Sequence, residues 1–163
     1  MEKIIRKFQK VKLLVLDFDG VMTDNRVLVS EDGKEAVFCN RSDGLGIEML
    51  KKKGIEVLVI SKEKNKVVEV RCNKLKIKCL SGIDNKHTLF LKEVKKRKLK
   101  LENVCFVGND INDLECIENA GIGVAVAGSY KPVLNIADYI TNKKGGQEAV
   151  REVIDLILKG KNG

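Results

Sequence analysis

Short, mainly apolar runs recur along the chain, separated by longer segments in which apolar residues return at helical spacing. Apolar runs rich in β-branched residues are typical of strands that are buried on both faces. Strands are predicted at residues 11–16, 55–60, 77–80, 104–107 and 123–126, with a small one near Tyr139. Helices are predicted at residues 41–53, 63–75, 85–97, up to Asn119, after Pro132 and at 147–158. This alternation predicts an α/β fold with a doubly wound, mainly parallel sheet.

One segment departs from the alternation. Residues 26–30 and 34–39 are short runs with valines and Phe38, and Glu31-Asp32-Gly33 lies between them. This pattern predicts a β-hairpin, and we place a flap at about residues 24–40. A hairpin with little core of its own usually packs on something else, although a plain surface hairpin also fits the pattern. No repeat or linker divides the chain, so a single domain over residues 1–163 is expected.

Two carboxylates directly follow the first predicted strand. Asp17 and Asp19 are separated by one residue, so their side chains leave on the same side if the backbone stays extended. Two such charges about 4 Å apart repel by about 4 kcal/mol at an effective dielectric constant near 20. A divalent cation relieves the repulsion, and hard oxygen ligands favour Mg²⁺. The residues alone also fit an aspartate-rich turn in which Gly20 supplies a positive φ.

Composition narrows the classes of function. The chain of 163 residues has a formal net charge of +8 but only two Tyr, five Phe and no Trp, so a basic surface or an anionic substrate is favoured over nucleic-acid binding. One histidine and five scattered cysteines argue against a zinc site. The cysteines also suit a reducing compartment. We therefore expect a soluble, cytoplasmic protein with neither a membrane nor a nucleic acid as partner.

Residues 17–24, Asp-Phe-Asp-Gly-Val-Met-Thr-Asp, resemble the first motif of the haloacid dehalogenase-like phosphohydrolases, in the form found in their capless branch. That branch includes phosphatases for 3-deoxy-octulosonate 8-phosphate and for nine-carbon ulosonate 9-phosphates. The resemblance runs from about residue 11 to 158 and implies a Rossmann-like core with a hairpin flap and no cap domain. It implies that Asp17 is the nucleophile, which forms an aspartyl-phosphate. It also implies that Asp19 is the acid and base, and that both bind Mg²⁺, Asp19 through its backbone carbonyl.

Two further residues resemble phosphate-binding positions of the family. Ser61 follows the second long strand and would donate to a phosphoryl oxygen, while Lys86 would neutralise phosphoryl charge and position the nucleophile. Gly20 joins them as a phosphate-binding residue of the first motif. Without the resemblance, Ser61 fits a helix cap equally well and Lys86 fits a surface lysine.

Gly108-Asn109-Asp110-Ile111-Asn112-Asp113 resembles the acidic motif that completes the metal site. Asn109 stands where the commoner pattern has aspartate, so the resemblance leaves open whether Asn109, Asp110 or both are Mg²⁺ ligands. Asp113 would hold a metal-bound water or orient Lys86. Because Asp17, Ser61 and Asn109 each follow the carboxyl end of a predicted strand, we expect them to meet in one crevice.

The choice of substrate depends on Glu63, Arg71 and Lys74. Their spacing is similar to that of the nine-carbon ulosonate phosphatases. On one helix the three residues would share a face, since at 100° per residue Arg71 lies 80° and Lys74 lies 20° around the helix axis from Glu63. Arg71 and Lys74 would bind the substrate carboxylate, Glu63 would accept from sugar hydroxyls, and Thr23 of the first motif is assigned to substrate as well. A solvated helix face with internal ion pairs is the simpler alternative.

The resemblance therefore implies a Mg²⁺-dependent phosphatase for the 9-phosphate of a nine-carbon 2-keto-3-deoxy sugar acid. The alternatives are the eight-carbon octulosonate 8-phosphate as substrate, or a non-catalytic oligomerisation domain associated with a sugar-acid cytidylyltransferase. A homotetramer is expected, with sites at subunit interfaces. The resemblance implies that the flap builds the oligomer and that a Gly-Gly segment at residues 144–152 helps to close the site of a neighbouring subunit.

Overall fold

The computed structural model describes residues 2–162 of the protein. Its strands are β1 (Leu13–Leu16), β2 (Leu28–Val29), β3 (Glu35–Ala36), β4 (Glu56–Ile60), β5 (Lys78–Leu80), β6 (Val104–Gly108), β7 (Ile122–Ala127) and β8 (Tyr139–Lys144). Six of them form one sheet in the order β5-β4-β1-β6-β7-β8, and every neighbouring pair is parallel. The order reverses direction at β1, which confirms the doubly wound sheet predicted from the sequence.

Helices cover both faces of this sheet. They are α1 (Glu2–Gln9), α2 (Arg41–Lys52), α3 (Lys66–Leu75), α4 (Lys86–Lys96), α5 (Leu114–Asn119), α6 (Lys131–Ile136) and α7 (Ala149–Asn162). Leu14 and Leu16 of β1 join the buried cluster under α1, α2, α3 and α7. Leu13 and Val15 join the cluster under α4, α5 and α6. Alternate side chains of one strand therefore supply two separate cores.

The predicted hairpin is present but its strands are short. β2 and β3 pair antiparallel, with Leu28 opposite Ala36, and form a two-stranded sheet outside the main one. A bridge between Thr23 and Cys39 closes its base. The hairpin region exposes large apolar side chains, including Leu28 at 68% and Phe38 at 74%. The flap thus lies within the range expected for it, and its apolar surface is uncovered in the isolated chain.

The structure contradicts one predicted helix boundary. α3 begins at Lys66 and not at residue 63, because the side chain of Asn65 accepts a hydrogen bond from the Val67 N–H and caps the helix there. Glu63 consequently lies in the loop between β4 and α3, so the predicted helical face shared with Arg71 and Lys74 is wrong for Glu63. Within residues 2–162, no helix is both long and apolar enough to cross a membrane.

Candidate active site

The loop after β1 folds back on itself. Three successive backbone N–H groups, of residues 21–23, donate to the Phe18 carbonyl at 3.3, 2.9 and 3.2 Å. The hydroxyl oxygen of Thr23 accepts from the N–H of Gly20 at 3.1 Å and from that of Asn25 at 3.2 Å. Thr23, predicted to bind substrate, is fully buried beneath this loop. The side chain of Thr23 therefore stabilises the conformation of this loop.

Gly20 sets the distance between this loop and the loop after β6. Its φ is +80°, and a Cβ atom at this position would lie 2.0 Å from Nδ2 of Asn109. Any side chain would both strain the backbone and displace Asn109. The glycine of the first motif is thus required for the close approach of the two loops.

Lys86 lies between two buried carboxylates. Its Nζ is 2.7 Å from Oδ1 of Asp17 and 2.8 Å from Oδ1 of Asp113, and all three side chains are at most 7% exposed. Burial opposes the charge of Lys86, but the two carboxylates raise its pKa above the usual value. Burial, followed by the charge of Asp113, raises the pKa of Asp17 to about 7, although Lys86 lowers it. Lys86 is therefore not the surface lysine that the residue alone would suggest. Its ammonium group lies next to the predicted nucleophile, Asp17.

Asp113 holds the loop after β6 in place as well. Its Oδ2 accepts from the backbone N–H groups of Asn109 at 3.0 Å and Asp110 at 3.3 Å. With Lys86 on Oδ1, both of its oxygens have partners and the residue is fully buried. These contacts favour the orienting role for Asp113 over the holding of a metal-bound water.

Two buried polar atoms lack hydrogen-bond partners here, namely Oδ1 of Asn109 and Oγ of Ser61. Both residues line one cleft of about 320 Å³ at the carboxyl ends of the strands, together with Asp17, Asp19 and Asp110. A buried polar atom without a partner costs free energy, so each of these atoms suits a ligand. Asp17, Ser61 and Asn109, which are far apart in the sequence, therefore line one crevice as expected.

The oxygen atoms of the cleft fit a hard divalent cation. The buried Asn109 Oδ1 has no protein donor, and burial raises the pKa of Asp17, so a bound cation would favour the ionised form of that carboxylate. Among the described residues, no group of three or more His, Cys, Asp or Glu side chains is arranged to hold a metal ion. The ion would therefore depend on a mixed set of carboxylate, amide and backbone oxygens, as Mg²⁺ sites often do. Asp110 lines the cleft, and its Oδ1 already accepts from the Ile111 N–H at 2.6 Å.

Asp19 and Glu63 both line the cleft. Burial, followed by the negative charge of Glu63, raises the pKa of Asp19, while Lys86 lowers it. A raised pKa makes a carboxyl group a better proton donor near neutral pH. Asn25, which was not predicted, also lines the cleft and has a φ of +65°. The signal that could have found it is an asparagine just after the motif, because asparagine tolerates that conformation.

Arg71 and Lys74 are not part of this cleft. Nη2 of Arg71 donates to the Asn40 carbonyl at 3.0 Å, and its Nε is buried without a partner. Lys74 is exposed on α3. Neither residue lines the cleft that contains Asp17 and Glu63. A single chain therefore does not bring the predicted substrate cations to the predicted nucleophile.

Known proteins resemble this chain in sequence. A family model for haloacid dehalogenase-like hydrolases matches residues 83–154. The chain is 40% identical over 156 residues to 3-deoxy-D-manno-octulosonate 8-phosphate phosphatase KdsC of Escherichia coli K12, covering 95% of this chain and 83% of that protein. The chain belongs to the haloacid dehalogenase-like hydrolases.

Solved structures of this family share the whole fold. The 3-deoxy-D-manno-octulosonate 8-phosphate phosphatase of Moraxella catarrhalis, in complex with magnesium, phosphate and KDO, is 34% identical with a TM-score of 0.97, covering 99% of this chain and 94% of that one. The cobalt-bound deoxy-D-mannose-octulosonate 8-phosphate phosphatase of Haemophilus influenzae is 30% identical with a TM-score of 0.92, covering 96% of this chain and 92% of that one. As a haloacid dehalogenase-like hydrolase with such relatives, the protein is a sugar phosphatase, and the resemblance predicted from the first motif is confirmed.

Proposed function

We propose that the protein is a Mg²⁺-dependent phosphatase that removes the terminal phosphate of a 2-keto-3-deoxy sugar acid by way of an aspartyl-phosphate. The observation that carries this proposal is the buried Asp17–Lys86–Asp113 cluster, with Oδ1 of Asn109 and Oγ of Ser61 free in the same cleft. The cluster holds the nucleophile in one orientation, while the two free atoms remain available for a cation and a phosphoryl oxygen.

Each residue of the cleft has its own role in the proposed reaction. A carboxylate oxygen of Asp17 attacks phosphorus, and the bond from phosphorus to the sugar oxygen breaks as Asp19 gives that oxygen its proton. Asp19 then takes a proton from the water that attacks the aspartyl-phosphate and releases inorganic phosphate. Lys86 and the Ser61 hydroxyl donate to phosphoryl oxygens, whose charge must be neutralised throughout.

A divalent cation would be held by Asp17, Asn109 and Asp110 together with the backbone carbonyl of Asp19. When bound, it neutralises charge on the transferring phosphoryl group. Because Asn109 is neutral, this set brings one negative charge fewer than the commoner aspartate would bring. We therefore expect Asn109→Asp to bind Mg²⁺ more tightly, and isothermal titration calorimetry measures this directly.

Two sugars remain as candidates, and different observations favour them. The eight-carbon octulosonate 8-phosphate is the first candidate, because relatives 30–40% identical over nearly the whole chain are named for it. The nine-carbon ulosonate 9-phosphate, predicted from the sequence, is the second. Glu63 favours it, since this carboxylate lines the same two cavities as Asp19, where hydroxyls of a longer sugar would reach it.

Assembly into a homotetramer is part of the proposal. The exposed apolar side chains of the hairpin are suited to burial against another subunit. Arg71 and Lys74 do not line the cleft of their own chain, so their proposed binding of the substrate carboxylate requires a neighbouring subunit. A non-catalytic assembly domain is disfavoured because the nucleophile, the acid, the lysine and the acidic motif are all present. The cytoplasmic location and the absence of nucleic-acid or membrane partners stay predictions from the sequence.

Steady-state kcat/KM values with Mg²⁺ test both activity and substrate. The panel is 3-deoxy-octulosonate 8-phosphate, a nine-carbon ulosonate 9-phosphate and glycerol 3-phosphate, with Asp17→Asn as the inactive control. A preference of tenfold or more for the eight-carbon phosphate supports the first candidate, and the reverse preference supports the second. Activity retained in Asp17→Asn would overturn the mechanism. Glu63→Gln should reduce the nine-carbon rate selectively, and equal losses on all three substrates would remove its proposed role.

A further inference from the structure

A second cavity of about 320 Å³ adjoins the catalytic cleft, between the hairpin and the start of α3. We call it the leaving-group compartment. It shares Asp19, Asn25 and Glu63 with the cleft. Its apolar lining includes Phe18, Val67 and Val68, and its carboxylates are Asp19, Glu35 and Glu63. An apolar lining with a few polar groups is typical of a site that binds an organic molecule.

The position of Asp19 decides where the sugar extends. The leaving oxygen must lie within hydrogen-bond reach of the acid that protonates it. Another cavity adjoins the cleft at Asn25 and Asn109 and is lined by Tyr130 and Lys144, but Asp19 is not among its lining residues. Of these two neighbouring cavities, the leaving-group compartment is therefore the one that can receive the sugar.

The charges of the compartment define which part of a sugar acid it accepts. Arg26 also lines it, but the Arg26 guanidinium pairs with Asp24 at 2.6 Å, whereas Glu35 and Glu63 form no ion pair with a described residue. A carboxylate in this space would be repelled. Hydroxyl groups, which donate hydrogen bonds, would be attracted. The polyol part of a substrate thus suits the compartment, and its carboxylate must lie outside.

We propose that Glu35 is a specificity-determining residue, whose carboxylate accepts hydrogen bonds from hydroxyl groups of a polyol leaving group. This inference rests on the proposed function, because it assumes that a sugar phosphate occupies the cleft. Glu35 belongs to β3 of the hairpin, so its contribution comes from the flap and not from the sheet that carries the reacting groups.

Asn65 holds Glu35 in position. Its Nδ2 donates to the Glu35 carboxylate, while its Oδ1 accepts from the Val67 N–H and caps α3. One oxygen of Glu35 is thereby tied to the first turn of α3, and the other is available to substrate. The tether gives the side chain of an exposed hairpin a fixed place beside the compartment, which reduces the entropy lost when substrate binds.

A pair of phosphates of equal carbon number tests the inference. Sorbitol 6-phosphate is a neutral polyol ester, and hexyl phosphate has the same chain length without hydroxyl groups. Glu35→Ala should lower kcat/KM for sorbitol 6-phosphate by about tenfold, as expected for a lost hydrogen bond to a charged group, and change the value for hexyl phosphate less than about twofold. Glu31→Ala, an exposed glutamate of the same hairpin, is the matched control and should change neither.

Asn65→Ser separates the tether from the helix cap. Serine caps helices as well as asparagine does but is too short to reach Glu35. We expect a loss in the same direction as in Glu35→Ala, of smaller size, with the thermal midpoint unchanged. Equal losses on both phosphates, or no loss on sorbitol 6-phosphate in Glu35→Ala, would overturn the inference.

Binding distinguishes this inference from the proposed function. In an Asp17→Asn background, isothermal titration calorimetry with the two phosphates needs no turnover. If the wild-type protein hydrolyses no sugar-acid phosphate, the proposed function fails. The Glu35 inference then stands if Glu35→Ala weakens binding of sorbitol 6-phosphate alone, and falls if it does not.

Discussion

Asp43 offers a test of the fold that does not touch the catalytic groups. It lies in the first turn of α2, is 1% exposed, and its Oδ1 accepts from the Arg151 N–H in the first turn of α7 at 2.9 Å. Its Oδ2 is buried without a partner. Burial raises the pKa of Asp43 to about 6, against a lowering by the Arg151 hydrogen bond. The Asp43 carboxylate thus links the first turns of α2 and α7 and remains buried from solvent.

The sign of its contribution follows from linkage. The unfolded chain has the ordinary aspartate pKa of 3.8, so the folded protein binds more protons between pH 3.8 and about 6. Stability is therefore fully present below pH 3.8 and is lost as the pH rises through about 6. Raising the Asp43 pKa from 3.8 to about 6 corresponds to about 3 kcal/mol of stability, of which about 2 kcal/mol is lost between pH 4.5 and pH 7.

Asp43→Asn removes this titration while its amide oxygen can still accept from the Arg151 N–H. The free energy of unfolding of the variant, relative to wild type, should therefore rise by about 2 kcal/mol from pH 4.5 to pH 7. Urea unfolding at both pH values, with the slope m checked for constancy, measures this difference. Asp84→Asn, at an exposed position, controls for the loss of one negative charge. A difference that is independent of pH, or that moves the other way, would refute the reasoning.

Two further substitutions test the active site. Lys86→Met leaves two buried carboxylates without their cation, so we expect a loss of about 3–5 kcal/mol in urea unfolding and of at least a hundredfold in kcat; near wild-type turnover would contradict the role of Lys86. Gly145→Ala places a Cβ atom 1.9 Å from the Gly20 carbonyl oxygen and must displace the catalytic loop. We expect kcat to fall by about a hundredfold with an unchanged circular dichroism spectrum, and unaltered kcat would show that the loop adapts without cost.

The parallel sheet and the meeting of the motifs were predictable because local sequence encodes both. Buried parallel strands carry unbroken apolar runs, and strand ends in such a sheet share one edge. Asp17, Ser61 and Asn109 each directly follow a strand, so their convergence needed no knowledge of tertiary contacts. The first motif added the proposed chemistry, since its eight residues contain the turn, the proposed nucleophile and the proposed acid together.

The start of α3, helix α1 and one contact between distant segments were not predicted. The side chain of Asn65 caps α3, so the helix begins at Lys66, three residues later than predicted. Glu63 therefore lies in a loop. Helix α1 was not predicted because its segment is strongly charged. Phe8 is the buried residue of this helix. The tether between Glu35 and Asn65 joins two segments whose sequences carry no joint signal.

The contact of the catalytic loop with the Gly145-Gly146 turn has a consequence for refolding. The Gly146 N–H donates to the Val21 carbonyl at 3.1 Å, and Gly145 lies against the backbone of residues 20–23. Asp17 and Asp19 precede this turn by more than 120 residues in the sequence. We therefore expect phosphatase activity to appear in a refolding experiment only after β8 and the start of α7 have packed against the loop that follows β1.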